Sequence, residues 1–200
     1  MRPTASADNS RSAKRIGIDD GPFPPKFPNT PSYAPLVAVC LKGPRLYRVQ
    51  TGWITVDGLD ATNQAIGVLK KLPKAPVLLS GVTFGGFNLI DPGKIQRLFK
   101  TPTIVVIGSR PDNSSVKRAL VKHFVDWRNR WKIIRSLGPL RQVRTISSEP
   151  PVFYEALGCT ISTARKILAN NAYVSRVPEP IRVAGLVARG LFTETFRITG

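Results

Sequence analysis

Acidic residues are scarce in this sequence, in which 12 Asp and Glu stand against 30 Lys and Arg for a net charge of +18. This shortage excludes a surface on which each basic side chain has an acidic partner nearby. The excess favours a polyanionic partner, because each contact between a cation and a phosphate backbone releases a condensed counterion. An anionic membrane surface is the rival interpretation. A surface that is merely basic and well solvated is the simplest alternative.

Cysteine and long apolar segments are also in short supply. The two cysteines, Cys40 and Cys159, are far apart and form no CxxC pair and no zinc site. No apolar run approaches the ~18 residues that a spanning helix needs, and the first residues lack the apolar core of a signal peptide. We therefore expect no membrane partner and, by default, a cytoplasmic location. Cys40 lies in an apolar run and is predicted to be a buried free thiol.

Apolar residues are plentiful enough to form a core, at 42% of a chain whose 200 residues suit one domain. We predict a disordered basic tail over residues 1–13, which are polar and Ser-rich, and one domain over residues 14–200. The predicted strands are residues 14–18, 35–41, 45–56, 77–82 and 103–107, with a last or edge strand at 140–147. The predicted helices are residues 61–72, 91–100, 114–124, 126–137, 162–171 and 179–191.

The order of these elements predicts the fold class. Lys42-Gly43-Pro44 is a turn between two strands, so the second and third strands are predicted to form a hairpin. Later strands alternate with helices, which implies parallel pairing. An antiparallel start that continues into βαβ units is the layout of ribonuclease H-like folds. We therefore predict an α/β protein with a ribonuclease H-like mixed sheet flanked by helices.

Local patterns within the helices give three smaller predictions. Trp127, Trp131 and Ile134 recur at helical spacing, which indicates core residues more than a platform on which bases stack. Ser162 is predicted to be the N-cap of the helix that follows it. His123, the only histidine, lies on a basic helix and is interpreted as structural or exposed.

The few carboxylates occur in glycine-containing motifs at predicted strand ends. Asp19 and Asp20 end the first strand, Asp57 and Asp60 follow the third, and Asp91 closes a Gly-Gly segment just past another. Ligands bind at strand ends in open α/β sheets. Several carboxylates that converge in a positive protein would hold a hard cation such as Mg²⁺. Such a metal activates water and stabilises the leaving oxygen in phosphodiester cleavage.

Each of these aspartates also has a purely structural interpretation. Asp-Gly is common turn chemistry, and Asp60 and Asp91 stand where each would cap the following helix. One Asp can also perform both roles.

Four further residues are candidates for contact with nucleic acid. Arg110 follows a predicted strand and would contact a phosphate. Gly85 and Gly86 permit close approach of a ligand, and with Asn88 they belong to a loop over residues 81–88 that would line a pocket for a flipped base.

Four longer motifs carry a resemblance to a known family. They are GIDDGPF at residues 17–23, WITVDGLDAT at 53–62, GVTFGGFNLID at 81–91 and PEPIRVA at 178–184. In this order they resemble the mainly archaeal endonuclease dU family, which is regarded as related to endonuclease V and ribonuclease H-like in fold. The resemblance spans residues 15–191. It implies cleavage of DNA at a deaminated base, notably deoxyuridine, with Mg²⁺ or Mn²⁺ as the metal.

The resemblance also implies roles for individual residues. Asp19 matches an Asp at the end of the first strand of endonuclease V and would be the central metal ligand. Asp57 and Asp60 would complete the catalytic set, as further ligands or supports. The later Asp-Gly of endonuclease V falls on Ser80-Gly81, so that carboxylate is absent here.

Asp20 would be a further metal ligand or support in this scheme, and Asp91 a weaker ligand candidate. Asp57, Asp60 or Asp91 would have to replace the carboxylate that is absent at Ser80.

Three functions are open at this point. The first is a metal-dependent endonuclease, for which Asp19 and either Asp57 or Asp60 should lie at adjacent strand ends and face one cleft. The second is a non-catalytic module that retains the fold and binds nucleic acid. The third is an enzyme acting on a small phosphorylated substrate.

Overall fold

A computed structural model of the protein describes residues 13–24 and 31–198, with side chains in the last helix described up to residue 191. The predicted tail over residues 1–13 therefore lies almost wholly outside the described residues. Within them, no helix is long and apolar enough to cross a membrane.

The described residues form the following elements in chain order. They are β1 (Lys14–Asp20), β2 (Tyr33–Lys42), β3 (Arg45–Thr55), α1 (Ala61–Leu69), β4 (Val77–Ser80), β5 (Thr83–Phe84), β6 (Asn88–Leu89), α2 (Pro92–Phe99), β7 (Thr103–Ile107), α3 (Asn113–His123), α4 (Trp127–Arg135), β8 (Arg141–Val143), β9 (Val152–Leu157), α5 (Ile161–Ala169) and α6 (Glu179–Ile198).

One mixed sheet organises the molecule, with strand order β3-β2-β1-β4-β7-β9-β8. The first three strands pair antiparallel as predicted, and β1, β4 and β7 pair parallel across helical crossovers. Strands β9 and β8 then pair antiparallel at the far side. The predicted α/β class with a mixed sheet flanked by helices is therefore confirmed. β5 and β6 form a separate two-stranded hairpin that the sequence analysis missed.

Strand β9 is the main correction to the predicted strands. The segment predicted at residues 140–147 forms only the short edge strand β8, and the longer strand follows it at Val152–Leu157. Glu155 lies in the middle of this strand, where the charged side chain conceals the apolar pattern, and Pro150 and Pro151 precede it. The strand forms because it pairs with β7 and β8. This pairing is a tertiary contact, so the local sequence does not indicate it.

The alternation of side chains along β1 assigns each strand-end aspartate to a face of the sheet. Ile16 and Ile18 lie in the large core beneath α1. Gly17 faces the other side, where the backbone of Pro180 at the start of α6 lies so close that a Cβ would collide with it. Asp19, two residues further on, therefore lies on the face covered by α6.

Two local predictions are corrected at helix ends. Helix α1 ends at Leu69 because the next three residues tighten into a turn. The N-cap of α5 is Thr160 rather than Ser162, since the Thr160 hydroxyl accepts a hydrogen bond from the backbone of Thr163 at 3.2 Å. Cys40 is a buried free thiol, as predicted.

Candidate active site

Asp19 and Ser80 meet at the carboxyl ends of two neighbouring parallel strands. Ile18 of β1 pairs with Leu79 of β4, so the next residue of each strand lies at the same level. The Ser80 hydroxyl lies beside the Asp19 carboxylate and acts to lower its pKa as a hydrogen-bonding group. The backbone N–H of Asp20 also donates to Oδ1 of this carboxylate, at 3.0 Å. Position 80, where a carboxylate is absent, therefore places a hydroxyl beside Asp19.

Helix α6 closes the site from above through two residues one turn apart. Gly185 lies directly over Asp19, so that a Cβ at this position would collide with Oδ2. Arg189 lies on the next turn, and its positive charge acts on Asp19. The helix thus provides both room for the carboxylate and a nearby cation.

Burial raises the pKa of Asp19 to about 6, and the negative charge of Asp20 adds to the rise. The Ser80 hydrogen bond, the Asp20 N–H and the Arg189 charge oppose it, but they are weaker than desolvation. A carboxyl with this pKa is mostly ionised at neutral pH and takes up a proton in mildly acidic solution, and a cation that reaches it would stabilise the anion. Both states are useful at a reactive centre.

Asp20 lies on the opposite face of the sheet and supports a loop. Its Oδ2 accepts the backbone N–H of Gly85 at 2.7 Å, and burial raises its pKa. Gly85 is buried, with a φ of 50° that favours glycine, and a Cβ would come within 3.1 Å of Ile54. The predicted metal ligand Asp20 thus holds Gly85, and Gly85 is not exposed to a nucleic acid.

Asp57 has a similar role in the same loop. It has a left-handed φ of 58°, and its Oδ1 accepts the backbone N–H of Phe87 at 2.9 Å. Its own N–H donates to the carbonyl of Gly85 at 2.8 Å. Gly86 is exposed and lies so close to Oδ1 that a Cβ would collide with it.

The half-buried Asp60 and the buried Asn88 form a hydrogen-bond network at the start of α1. The carboxylate of Asp60 accepts from the Thr55 backbone at 3.2 Å and from its hydroxyl at 3.1 Å, and also from the Asn88 amide. The Asn88 carbonyl accepts the N–H of Ala61 at 2.9 Å. Asp60 makes no cap bond itself, so Asn88 caps α1 from 27 residues away. Asn88 is fully buried, which corrects its prediction as a surface contact for nucleic acid.

The remaining predicted residues lie apart from Asp19. Asp91 caps α2 by accepting the N–H of Lys94 at 3.0 Å and lies 4.0 Å from Arg97, so its structural interpretation holds. Arg110 is exposed in the loop after β7, at the same edge of the sheet as Asp19. His123 is exposed at the end of α3.

The five predicted metal ligands therefore do not converge. Strands β1 and β3 are separated by β2, so the expectation that Asp19 lies at a strand end adjacent to Asp57 or Asp60 is wrong. Among the described residues, no three His, Cys, Asp or Glu side chains form a group that could hold a metal ion. Mg²⁺ is also bound through one or two carboxylates when waters and substrate phosphates complete its shell. Asp19 fits that smaller requirement, and a site of several carboxylates does not form.

Arg130 is a residue that sequence reasoning missed. Its side chain is buried, and it donates to the backbone carbonyls of Gly58 at 2.9 Å, of Asp57 at 3.0 Å and of Phe87. It also pairs with Asp126 at 2.9 Å. These bonds attach α4 to the loops beyond β3 and between β5 and β6. The spacing of Asp126 and Arg130 by four residues was a signal for the ion pair, but no local signal indicates the three carbonyls.

Comparison with known proteins identifies the family. A family model described as endonuclease dU matches residues 11–192. A UPF0215 protein of Pyrococcus furiosus is 35% identical over 183 residues, which cover 89% of this chain and 91% of the relative. A UPF0215 protein of Methanopyrus kandleri is 36% identical over 181 residues, covering 88% and 89%.

Solved structures show the same fold. A protein of unknown function from Archaeoglobus fulgidus is similar with a TM-score of 0.74 and 27% identity, over 90% of this chain and 98% of that one. Endonuclease V of Streptomyces avermitilis has a TM-score of 0.61 and 16% identity, over 97% and 96%. Endonuclease V of Ciona intestinalis, in complex with a 24mer DNA containing an inosine followed by a ribo-adenosine, has a TM-score of 0.56 and 17% identity, over 92% and 87%.

The motifs at residues 17–23, 53–62, 81–91 and 178–184 thus lie within one continuous family match, and the endonuclease V structures share the architecture that brings the first and third of them to one edge of the sheet. The chain belongs to the endonuclease dU family.

Proposed function

We propose that the protein is an endonuclease that cleaves DNA near a deaminated base, deoxyuridine in particular. The observation that carries the proposal is Asp19, a largely buried carboxyl with its pKa raised to about 6 at the end of a central strand. Family membership supports nuclease chemistry. The Ciona endonuclease V complex contains inosine, a deaminated nucleoside, and supports a substrate of this class.

The reaction is a hydrolysis in which water attacks phosphorus and the bond to one ester oxygen breaks. The leaving oxygen takes a proton and becomes a hydroxyl, and the other fragment retains the phosphate. Mg²⁺ or Mn²⁺, when bound, would neutralise charge on the phosphate and activate the water. Asp19 is the residue that would hold the metal ion.

The other residues at the edge act on Asp19 or on the substrate. The N–H of Asp20 orients the carboxylate, and the Ser80 hydroxyl lies beside it. Arg189 adds positive charge beside it, and Arg110 would contact a phosphate from the loop after β7. The loop that Asp20 and Asp57 hold would approach the flipped base through Gly86, which is exposed.

A non-catalytic module that binds nucleic acid is the second candidate. Two observations favour this module. Among the described residues, no three His, Cys, Asp or Glu side chains form a group that could hold a metal ion, and Ser80 stands in place of a carboxylate. The two candidates differ in cleavage and agree on binding.

Cleavage of labelled duplexes tests the proposal. Duplexes with one uracil, one hypoxanthine or no lesion are incubated with the protein and Mg²⁺, Mn²⁺ or a chelator. We expect metal-dependent cleavage of the uracil duplex and a loss of at least about 100-fold in Asp19→Asn, on the scale of losing a catalytic metal or proton-transfer group. Asp91→Asn is the matched control, because it removes a carboxylate that was predicted to bind metal but caps α2.

Two outcomes would overturn the proposal. Undiminished metal-dependent cleavage by folded Asp19→Asn would remove Asp19 from the mechanism. Binding of the uracil duplex without cleavage of any lesion would establish the non-catalytic module instead.

A further inference from the structure

A groove with a volume of about 430 Å³ runs along the outer side of α4. Trp127, Trp131 and Arg135 are spaced four residues apart and lie on one ridge of the helix, and Arg128 and Lys132 form the ridge beside it. The groove is therefore lined by alternating aromatic and cationic side chains.

The two tryptophans are not simply core residues. The buried side of α4 carries Arg130 and Ile134, whereas Trp127 and Trp131 are half-buried and pack against the small core beneath with only part of each ring. The remaining part of each ring faces the groove. The interpretation as core residues therefore holds for Ile134 and for the packed part of each indole, and this packing holds the two indoles at a surface.

Cations surround these rings. The Arg128 guanidinium lies 4.6 Å from the centre of the Trp127 ring, and the Lys117 ammonium of α3 lies 5.8 Å from the centre of the Trp131 ring. Within the part of the chain that the structure describes, Arg128, Lys132 and Arg135 form no ion pair. The groove is thus a concentration of positive charge without acidic partners among the described residues.

The groove has a fixed position relative to Asp19. Arg130, on the other side of the same helix, bonds to the backbone of Asp57 and Gly58 just beyond β3. Because β1 and β3 are both antiparallel to β2, their carboxyl ends lie at one edge of the sheet. The groove is therefore anchored to the edge that holds the candidate active site.

We propose that this groove binds single-stranded nucleic acid, with bases stacked on Trp127 and Trp131 and phosphates contacted by Arg128, Lys132 and Arg135. Rigid aromatic faces interleaved with cations are what single strands require, because every base has a face that stacks and every nucleotide a charge. The groove is open to solvent along one side of α4, so a flat base can reach the exposed part of each ring. The biological setting rests on the proposed function, in which an extruded base leaves a local single strand, but the binding is testable without cleavage.

Charge-matched variants test the phosphate contacts. Binding of a labelled, uracil-free single strand is measured in chelator over a range of salt concentrations. The groove variant replaces Arg128, Lys132 and Arg135 with Gln. The control variant likewise replaces with Gln three lysines that are exposed at the opposite edge of the sheet, Lys70, Lys71 and Lys74. Since each lost phosphate contact reduces the salt slope for a single strand by about 0.7, we expect a reduction of about 2 in the groove variant and little change in the control.

Aromatic variants test the stacking. Trp127→Leu and Trp131→Leu keep an apolar side chain against the core, and each should weaken binding by about 5- to 150-fold, the range for loss of one stacked base. Trp131→Phe should retain part of the affinity. Trp53→Leu is the control, because Trp53 is exposed on β3 and does not line the groove. Melting temperatures verify that each variant is folded.

The proposal is overturned if both triple variants lose affinity equally, or if the folded Leu variants bind as tightly as the unmodified protein. Binding to vesicles of anionic phospholipid without binding to the oligonucleotide would assign the groove to a membrane instead. Groove-dependent binding without cleavage of the uracil duplex would reject only the proposed endonuclease. Cleavage with no contribution from the groove would reject only this inference.

Discussion

At the scale of single residues, Asp19 and Asp20 show how neighbours in sequence take separate roles. They alternate across the sheet, so Asp19 meets Ser80 and α6, while Asp20 accepts a hydrogen bond from Gly85 on the other face. Burial raises the pKa of both carboxyls. Only Asp19 has its raised pKa beside a cation and under a glycine, which is why the proposed chemistry is placed there.

Glu155 provides a pH-dependent prediction outside the candidate site. It is buried on β9, its Oε2 has no hydrogen-bond partner among the described residues, and burial raises its pKa from 4.5 to about 7. As pH rises, the Glu155 carboxyl loses its proton at a lower pH in the unfolded chain than in the folded protein. The free energy of unfolding therefore falls between about pH 4.5 and 7. Glu155→Gln should be more stable than the unmodified protein at pH 8, by about 1–3 kcal/mol, and no more stable at pH 4.5. Urea unfolding at the two pH values measures this.

Asp112 offers a control of opposite sign for the same experiment. Hydrogen bonds from the side chain and backbone of Ser115 hold the pKa of Asp112 below its usual value. Its contribution to stability is present above its ordinary pKa and is lost in acid, so Asp112→Asn should lose stability at pH 8. A gain in stability for both variants at pH 8 would show that removal of any acid stabilises this basic protein.

At the scale of elements, the close approach of α6 to β1 decides the geometry around Asp19. Two glycines of α6 differ in what a side chain would meet: a Cβ at Gly185 would collide with Asp19, and one at Gly190 would meet nothing within 4 Å. Gly190→Ala should stabilise the protein by about 0.5–1 kcal/mol through helix propensity. Gly185→Ala should be clearly less stable than Gly190→Ala, as thermal unfolding would measure, because the collision opposes the same gain.

A double-mutant cycle identifies the cause of that difference. In an Asp19→Ala background the colliding carboxylate is gone, and Gly185→Ala should then stabilise about as much as Gly190→Ala. If Gly185→Ala remains destabilising in that background, the close approach at this position is not what limits it.

The attachment of α4 also depends on contacts between elements that are distant in sequence. Arg130 bonds to three carbonyls in two loops that are distant in sequence, and its guanidinium lies 4.3 Å from the centre of the Phe124 ring. A buried guanidinium with this many acceptors is costly to replace, because each acceptor would be left unpaired. Arg130 therefore helps to fix the position of the groove along α4.

At the scale of the whole molecule, the net charge of +18 sets how the protein meets a polyanion. Affinity for a uracil-containing duplex, measured in chelator, should fall steeply with salt. If about six phosphates are contacted, the loss between 50 and 200 mM salt is on the order of 1,000-fold. An affinity that does not change with salt, or no binding at low salt, would favour a small phosphorylated substrate.

The sequence by itself determined the local elements and the motifs. Strand β7 lies at Thr103–Ile107 as predicted, since a short apolar run bounded by turn residues has few alternatives. Asp19 was singled out correctly as a strand-end carboxylate for the same reason, because the apolar run and the Gly that follows it are both local. The antiparallel start and the parallel β1, β4 and β7 also follow from the order of elements and the chirality of crossovers.

Only the tertiary structure decided which of these residues meet. Asn88 caps α1 across 27 residues, Arg130 reaches carbonyls more than 40 positions away, and α6 covers Asp19 from the other end of the chain. Such pairs form where the fold brings a hydrogen-bond partner to a buried polar group. The two-residue period of a strand and the 3.6-residue period of a helix do not encode which residues become partners. The predicted convergence of five aspartates failed for this reason, because Asp20, Asp57, Asp60 and Asp91 hydrogen-bond to backbone groups and only Asp19 lies under α6.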